Sequence, residues 1–481
     1  MNWELVMGLE VHVELATKSK IFCSCTTQFG GEPNTHCCPV CTGMPGTLPV
    51  LNRKVLEYAV KAGIALNCEI ANYHKFDRKN YFYPDLPKAY QISQLYLPFA
   101  QNGHVDIVTR SGKSATIRIH EIHMEEDAGK LIHSPFGDAT FPDYNRCGVP
   151  LIEIVSEPDF RSAEEVVAYL EKLKSTFEYL GISDCKMQEG SMRADVNLSV
   201  REVGAEKFGT RTEMKNLNSF KAIERAIAFE AKRQIGVLES GGKVIQETRR
   251  WDDNKGKSFA MRSKENAQDY RYFPEPDIPP IRMEDAEIDA LRKAQPEFAN
   301  EKAARYVKDF GLSTEDAAQI TAKKELAALF EKTVELCQQP KEIAVWMLGE
   351  LMYLMKEEKV EAEQLHLEAS TFADFVKMIT DGRINRTKGR DVFEAFFHAN
   401  GAFDVEDYVK THQLEQVQDD ALLAQTVRNV IADNPKTVAE YLGGKTKVFG
   451  FFVGQTMKAL GGKAKPEIIN QIVTEELEKM K

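Results

Sequence analysis

The chain has 481 residues, 43% of them hydrophobic and 28% charged, which is the composition of a globular protein large enough for roughly two to four domains. Its formal net charge of −11 argues against a protein that coats nucleic acid over its whole surface, but it leaves room for local basic patches. The sequence has no uncharged apolar run of roughly 18 to 20 residues and no secretory signal at its start, so we expect a cytoplasmic protein with no membrane partner.

The first predicted element is a strand with the sequence "GLEVHVEL". Apolar and polar residues alternate strictly, so one face of the strand carries Glu10, His12 and Glu14. A strand that is covered on one side usually shows Lys, Thr and Ser on its polar face. Acids beside an imidazole therefore indicate a site, and the alternative is a sheet edge protected by charge.

Five of the nine cysteines follow within residues 23–41. The short spacings Cys23-x-Cys25 and Cys38-x-x-Cys41 are typical of a metal site, because a cytoplasmic chain rarely keeps disulfides. Four thiolates favour tetrahedral Zn²⁺ in a closed, structural site. A reduced loop without metal is the alternative, and Cys37 competes with Cys38 as a ligand.

The next segment, "FDRKNYFYPDLPKAYQIS", combines cations with aromatic rings. Cations suit phosphate and aromatic faces suit an unpaired base, so the segment is typical of contact with a nucleotide or a tRNA end. A surface loop is the plain alternative. The residues in question include Lys79, Tyr81, Tyr83 and Lys88.

A second alternating strand, "IRIHEIHMEEDAGK", changes phase by one residue, which predicts a β-bulge. If this strand shares a sheet with the first, Glu10, His12 and Glu125 converge. Carboxylates with one imidazole suit Mg²⁺ or Mn²⁺ better than structural zinc. A solvated strand edge remains the alternative.

Two further segments place acids, cations and a hydroxyl on alternating positions. They are "QEGSMRADVNLSVR", with Ser191, Arg193 and Asp195, and "GTRTEMKNLNSFKAIERAIAFE", with Arg211, Glu213 and Lys215. A helix follows the second, and its cap is either Asn218 or Ser219. Such side chains on one sheet face are the parts that phosphoryl transfer requires. The sequence has no Walker-type loop, so an ATP site here is not of the P-loop kind.

Beyond about residue 285 the pattern becomes helical. Ser313 and Asp316 resemble a helix cap, and a continuous apolar face then includes Leu326, Leu329 and Phe330. Near the end, Asn434-Pro435 predicts a helix start, Gly443-Gly444 a stop and Pro466 the start of a terminal helix. The sequence thus predicts a mixed α and β body followed by two helical modules.

These segments, in their order along the chain, resemble the B subunits of bacterial aspartyl/glutamyl-tRNA(Asn/Gln) amidotransferases. The similarity includes "DYNRCGVPLIEIVSEPD", "DYRYFPEPDIPP" and the tail "GFFVGQTMKALGGKAKPEIINQIVTEEL". It implies an α+β fold with a cradle domain built on a largely antiparallel sheet at residues 1–292. It also implies an all-α helical domain at residues 293–408 and an all-α tail domain at residues 409–481.

The resemblance implies a ligase in a heterotrimer with A and C subunits. Such an enzyme uses ATP and Mg²⁺ to phosphorylate the side-chain carboxylate of misacylated Glu-tRNA(Gln) or Asp-tRNA(Asn). Ammonia released from glutamine in the A subunit then forms the amide. This chain shows no Ser-Ser-Lys amidase pattern, so alone it should use ammonia and not glutamine. A non-catalytic tRNA-binding scaffold is one alternative, and a metal-dependent hydrolase is a weaker one.

The resemblance also implies roles for individual residues. His12 and Glu125 are the expected Mg²⁺ ligands, with Glu10 and Glu213 as further ligands or supporting acids. Arg193 and Lys215 are expected to face phosphate, and Asp195 to hold metal or orient a cation. The residues expected to bind the charged tRNA end or other substrate are Lys79, Tyr81, Tyr83, Lys88, Ser191 and Arg211. The cysteines expected to bind structural Zn²⁺ are Cys23, Cys25, Cys38 and Cys41.

The tail carries a local basic patch. Between Gly443 and Pro466 there are five lysines and no acid, which suits a phosphate backbone, although lysines are often only solvated. In the family it resembles, this region contacts the tRNA body. The expected tRNA-binding residues are Lys445, Lys447, Lys458, Lys463 and Lys465.

Overall fold

The computed structural model describes residues 2–134, 136–263, 270–399, 401–416 and 420–480. Within this described part, the chain forms two compact units, Met1–Phe298 and Ala299–Lys481. The first unit mixes strands with helices and the second is helical, so the predicted α+β fold is confirmed. The division into three domains at residues 292 and 408 stays a prediction.

The first unit contains short and long strands together with a few helices. Its strands are β1 (Trp3–Glu14), β2 (Glu69–Ile70), β3 (Tyr73–His74), β4 (Asp77–Asn80), β5 (Tyr90–Ser93), β6 (Ala100–Val108), β7 (Ser114–Glu126), β8 (Lys130–His133), β9 (Thr140–Asp143), β10 (Pro150–Ser156), β11 (Met192–Glu202), β12 (Thr212–Lys215), β13 (Glu247–Asp252), β14 (Lys257–Ser263), β15 (Phe273–Pro274) and β16 (Ile281–Arg282). Its helices are α1 (Arg53–Ala65), α2 (Ala163–Leu180), α3 (Phe220–Glu239) and α4 (Asp285–Lys293).

One large sheet organises this unit. Among the described residues it has nine strands in the order β14-β13-β12-β11-β1-β10-β7-β6-β2, and only the β12–β13 pair is parallel. A smaller sheet, β15-β4-β5, carries the segment around Lys79. Strand β1 therefore lies at the centre of the large sheet, between β10 and β11.

The two faces of the large sheet differ in character because side chains alternate along each strand. Leu9, Val11 and Val13 of β1 are buried in one continuous core that also includes residues of α1, α2 and α3. This burial fixes which way β1 faces, since a slip of one residue would bring its charged side chains into the core. The polar face of β1 consequently carries Glu10 and His12.

The structure confirms several local predictions in this unit. The phase change in β7 is a bulge, since Val155 pairs with Glu121 and the next residue, Ser156, pairs with Ile119. Of the two candidate caps of α3, Ser219 is the N-cap, and its hydroxyl accepts a hydrogen bond from the amide of Ala222.

The second unit is built from helices. They are α5 (Ala299–Phe310), α6 (Thr314–Thr321), α7 (Lys324–Cys337), α8 (Pro340–Trp346), α9 (Met352–Glu358), α10 (Ala369–Thr380), α11 (Arg386–His398), α12 (Val405–Thr411), α13 (Asp420–Asp433), α14 (Pro435–Leu442), α15 (Phe449–Ala459) and α16 (Pro466–Glu478). A π-helical turn, Met347–Leu351, connects α8 with α9. No helix in the described part of the chain has both the length and the apolar character needed to cross a membrane.

The helix boundaries in this unit follow the sequence signals. Ser313 caps α6 by accepting a hydrogen bond from the amide of Asp316, Pro435 begins α14 with Asn434 as its cap, and Pro466 begins α16. Residues of α5 to α12 share one hydrophobic core, and residues of α13, α15 and α16 share another. The apolar face predicted for α7 is buried in the first of these cores.

Candidate functional site

A row of charged side chains crosses the polar face of the large sheet. His12 on β1 lies opposite Glu153 on β10 and opposite Arg193 on β11. Glu153 in turn lies opposite His123 on β7. Directly opposed residues of antiparallel strands have neighbouring side chains on the same face. The register of these strands therefore places one carboxylate between two imidazoles.

What we call the acid–imidazole group consists of His12 and Glu153 from this row together with Glu125, which lies two residues along β7 from His123. Their ligand atoms all lie within 4.8 Å of one another. The Nε2 atom of His12 is 3.4 Å from Glu153 Oε2 and 3.8 Å from Glu125 Oε1. Two carboxylates and an imidazole fit Mg²⁺ or Mn²⁺. Our sequence reasoning missed Glu153, although it is the one charged residue in the strand "PLIEIVS".

The residues of this group and the neighbouring His123 strongly shift one another's pKa values. Burial opposes ionisation of Glu153, but His12 and His123 outweigh that effect and hold the pKa of this carboxyl well below its usual range. Burial raises the pKa of Glu125, and the neighbouring Glu153 raises it further. Burial lowers the pKa of His123, yet Glu153 and Glu121 together raise that pKa to about 10. The protons on the two imidazoles therefore balance the charge of Glu153, and a bound cation would take their place.

A three-acid group lies beside it on the same sheet face, formed by Glu10, Asp195 and Glu213. Their carboxylate oxygens also lie within 4.8 Å of one another. Neighbouring side chains hold two of these acids, because Asn197 donates to Glu10 at 3.0 Å and Thr248 donates to Glu213 at 2.8 Å. An all-oxygen ligand set fits Mg²⁺.

The four residues expected to share one Mg²⁺ site thus fall into two groups. The order of the strands explains this division. Strand β10 lies between β1 and β7, so the residue opposite His12 on that side is Glu153 of β10. Glu10 lies two residues along β1 from His12, and its partner on β11 is Asp195. Asp195 therefore belongs to the three-acid group together with Glu10.

Cationic residues flank both groups. The Lys215 ammonium pairs with Asp195 and is 3.2 Å from Glu213, and these acids raise the pKa of Lys215 against the opposing effect of burial. Arg193 donates to Asp127 at 3.0 Å, and the charge of Asp127 raises the pKa of Arg193. Lys215 thus contacts the three-acid group directly. Arg193 instead pairs with Asp127, an acid that the sequence reasoning did not name.

Lys79 lies on the smaller sheet among aromatic rings. Its ammonium is 5.9 Å from the ring centre of Tyr81 and 5.0 Å from that of Tyr270. Burial lowers its pKa, but Tyr272 and then Glu125 and Glu153 raise it by more, so Lys79 faces the acid–imidazole group as a cation. The sequence reasoning did not name Tyr270 and Tyr272 as site residues. The pattern that could have indicated them is the alternation of tyrosines in "YRYF".

Four other predicted residues lie outside both acid groups. Lys88 is partly buried, and its ammonium pairs with Glu126 rather than with Glu125. Ser191 is fixed in a turn, where its hydroxyl accepts from the amide of Lys186 at 2.8 Å. Tyr83 is exposed. Arg211 is also exposed and lines a cavity of about 550 Å³ next to Glu10.

The four cysteines predicted to bind zinc lie together, with their sulfur atoms within 4.8 Å of one another. Cys38 Sγ is 4.0 Å from Cys41 Sγ, close to the roughly 3.8 Å between two sulfurs in a tetrahedral site with Zn–S bonds of about 2.3 Å. Cys37 is outside this group, and its sulfur contacts the carbonyl of Asn34 at 3.3 Å. The donor set and its spacing therefore fit Zn²⁺.

The tail lysines lie in and around α15. Lys445, Lys447, Lys458 and Lys465 are exposed, and Lys463 is partly buried. Lys445 pairs with Glu440 at 3.4 Å. We call these five residues the lysine patch.

Comparison with known proteins assigns the chain to a family. Residues 5–289 match the family described as the GatB/GatE catalytic domain, and residues 328–477 match the one described as the GatB domain. The chain belongs to the GatB/GatE family. Both acid groups and the cysteine group lie within the segment that matches the GatB/GatE catalytic domain.

Relatives within the GatB/GatE family align along the whole chain. A protein of Lachnoclostridium phytofermentans is 61% identical over 477 residues, which is 99% of each chain. One of Lachnospira eligens is 58% identical over 98% of this chain and 99% of its own, and one of Caldicellulosiruptor bescii is 55% identical over all of both chains. Each is named as the B subunit of an aspartyl/glutamyl-tRNA(Asn/Gln) amidotransferase, which confirms the resemblance inferred from the sequence.

The two acid groups predict two tight binding sites for a divalent cation. We expect Glu153→Gln to remove the tight binding of one Mn²⁺ ion, with an affinity about tenfold lower or worse, because it removes an anionic ligand. Electron paramagnetic resonance titration of free Mn²⁺ measures this.

The matched control is Glu157→Gln, which changes a carboxyl that pairs with the exposed His120. This control should bind Mn²⁺ as the wild type does. If Glu153→Gln also binds with wild-type stoichiometry and affinity, the acid–imidazole group is not a metal site.

Proposed function

We propose that this chain is the B subunit of an aspartyl/glutamyl-tRNA(Asn/Gln) amidotransferase. Such an enzyme is a carbon–nitrogen ligase that acts with A and C subunits on misacylated tRNA, using glutamine as its amide donor. The observation that carries the proposal is 55–61% identity to proteins of that name along nearly the whole chain. The cytoplasmic location predicted from the sequence belongs to this proposal, because translation takes place there.

The reaction consists of two transfers. The γ-phosphoryl group of ATP first moves to a side-chain carboxylate oxygen of Glu-tRNA(Gln) or Asp-tRNA(Asn), which releases ADP. Ammonia then attacks the carbonyl carbon, so that a carbon–nitrogen bond forms while the carbon–oxygen bond to phosphate breaks. Phosphorylation is needed because a free carboxylate is a poor acyl donor, whereas phosphate is a good leaving group.

Both acid groups support this chemistry. When Mg²⁺ is bound, it neutralises charge that develops on the phosphate oxygens. The acid–imidazole group and the three-acid group offer two sets of ligands on one sheet face. Lys79 and Lys215 bring cations to these sets, and Arg193 adds a third cation on the neighbouring strand. Each can stabilise phosphoryl oxygens or the substrate carboxylate.

The cavity next to Glu10 has the size of a nucleotide site. Its volume is about 550 Å³, within the range of roughly 300 to 1,000 Å³ that is typical of ligand sites. Phe208 offers an apolar surface for a base, and Arg211 offers a cation for phosphate. We assign ATP to this cavity, with its phosphates directed toward the three-acid group.

Aromatic residues near Lys79 suit the charged end of the tRNA. Tyr81 and Tyr270 lie edge to face with ring centres 5.9 Å apart, and Tyr83 is exposed nearby in sequence. Unpaired bases stack on such rings. This arrangement would hold the terminal nucleotide while the aminoacyl carboxylate reaches the acid–imidazole group.

The cysteine group is assigned to structural Zn²⁺. Four thiolates complete the coordination of the ion and leave no position for water or substrate. The bound ion would therefore hold the loop at residues 23–41 rigid and would not form a second catalytic centre.

The decisive test of the proposed activity is amide formation on Glu-tRNA(Gln). The chain is combined with its A and C subunits and supplied with ATP, Mg²⁺ and ammonium chloride, and ATP cleavage is followed in parallel. We expect Glu125→Gln to lower both rates by about 100- to 1,000-fold, because it removes charge at the site of phosphoryl transfer.

Glu157→Gln serves again as the control and should retain both rates. If Glu125→Gln folds, binds tRNA and keeps both activities, the placement of the phosphoryl-transfer site is wrong. If wild type binds charged tRNA but cleaves no ATP, the chain is a non-catalytic scaffold instead.

The lysine patch predicts a contact with the tRNA backbone. A triple variant, Lys445→Gln, Lys447→Gln and Lys458→Gln, should raise the KM for tRNA and leave kcat nearly unchanged, because these residues are remote in sequence from the acid groups. The slope of log affinity against log salt should fall by about 1 for each lysine that contacts phosphate.

A matched triple variant carries Lys308→Gln, Lys341→Gln and Lys356→Gln, which are exposed lysines outside the patch. It changes the net charge equally and should keep the wild-type KM. Equal effects of the two triple variants would mean that only the overall charge matters.

A further inference from the structure

Lys20 is a lysine with no exposed surface, which is rare for this residue type. Its ammonium donates to the carbonyl of His36 at 2.7 Å and contacts the carbonyl of Tyr144 at 3.4 Å. The third contact is the sulfur of Cys41, at 3.6 Å. These three acceptors match the three N–H donors of a charged ammonium, whereas a neutral amine has two.

A buried cation needs a counter-charge, because its desolvation is costly. The two carbonyls around Lys20 satisfy hydrogen bonds but carry no formal charge. The remaining acceptor is Cys41, one of the four cysteines whose sulfurs lie within 4.8 Å of one another. A thiolate at Cys41 provides the missing negative charge.

We propose that Lys20 is the built-in counter-ion of the cysteine site and holds Cys41 as a metal-bound thiolate. This inference rests on the zinc site proposed above. Four thiolates and one Zn²⁺ carry a net charge of −2 by simple addition of formal charges, and the buried ammonium reduces this surplus. The N–H···S contact also withdraws electron density from the sulfur. Lys20 therefore strengthens metal binding and lowers the reactivity of Cys41 toward electrophiles.

The position of Lys20 is set by two separate segments. His36 belongs to the cysteine loop, and Tyr144 belongs to the turn that follows β9. The neighbouring residue Ile21 donates to the carbonyl of Gly148 at 3.0 Å, at the other end of that turn. The ammonium is thus held in place at Cys41 by the backbone rather than by a flexible surface contact.

The same contacts link the cysteine loop to the polar sheet face. Arg146 lies within the turn between Tyr144 and Gly148, and its Nε atom is 3.5 Å from the carboxylate of Asp127. Asp127 also accepts from Arg193. A loosened cysteine loop would therefore disturb the acid that pairs with Arg193.

Cobalt substitution tests the proposal in the full-length chain. The protein is stripped of metal under reducing conditions and titrated with Co²⁺, and the thiolate-to-cobalt absorption is recorded. Lys20→Met keeps the length of the side chain and removes its charge. We expect its charge-transfer band to move to lower energy, because an electron-richer thiolate transfers charge more easily. We also expect a zinc dissociation constant about 10- to 100-fold higher.

Lys18→Met is the control, because Lys18 is exposed and lies only two residues away. It should leave the band energy and the zinc affinity unchanged. If Lys20→Met has the wild-type band energy and zinc affinity, Lys20 is not a counter-ion, whereas the zinc site itself stands. If the wild type shows no thiolate-to-cobalt band, the zinc site fails and this proposal fails with it.

A second variant keeps the test decisive if Lys20→Met does not fold. Lys20→Gln retains an N–H donor in the buried position and removes only the charge. The same shift to lower energy is expected, together with faster release of zinc when the thiols are alkylated with iodoacetamide. If Lys20→Gln has the wild-type band energy and the wild-type rate of zinc release, the charge of Lys20 does not act as a counter-ion.

Discussion

The pairing of His12 with Glu153 across strands β1 and β10 is the contact on which the candidate site depends. It exists because the apolar residues of β1 are buried against helices and leave the charged residues on the opposite face. The same antiparallel register places His123 on the far side of Glu153. A shift of one residue in either strand would remove the polar side chains from one another and bury charge in the core.

This face of the sheet concentrates acids that the fold alone does not need. Each acid group is balanced in the structure by imidazole or lysine, as at Glu153 beside His12 and at Asp195 beside Lys215. Such compensated but strongly perturbed groups are typical of functional sites, since a core of apolar residues would be easier to stabilise. A site that receives ATP, metal and a carboxylate in turn needs acids that have cations beside them.

Much of the fold could be predicted from the sequence because its signals are local. Alternation identified β1 and β11, and the phase change identified the bulge in β7. Pro435 marked the first residue of α14, and Ser313 marked the cap of α6. Strand order is not local, so no sequence pattern indicated that β10 lies between β1 and β7. For that reason Glu153 was missed, and Glu10 was expected beside Glu125 rather than with Asp195. Lys20 escaped notice because burial of a single lysine leaves no pattern in the sequence.

Transfer of a phosphoryl group to the substrate carboxylate on this sheet face is tested most directly by following an isotope. Glu-tRNA(Gln) is prepared with ¹⁸O in the side-chain carboxylate and converted by the complete three-subunit enzyme with ATP and an amide donor. The phosphate released is then analysed by mass spectrometry. We expect one ¹⁸O atom in each phosphate. When ammonia displaces the phosphate, the bond between the acyl carbon and the bridging oxygen breaks, so this labelled oxygen stays on phosphorus. Phosphate without ¹⁸O, formed together with the amide product, would contradict phosphoryl transfer to the carboxylate.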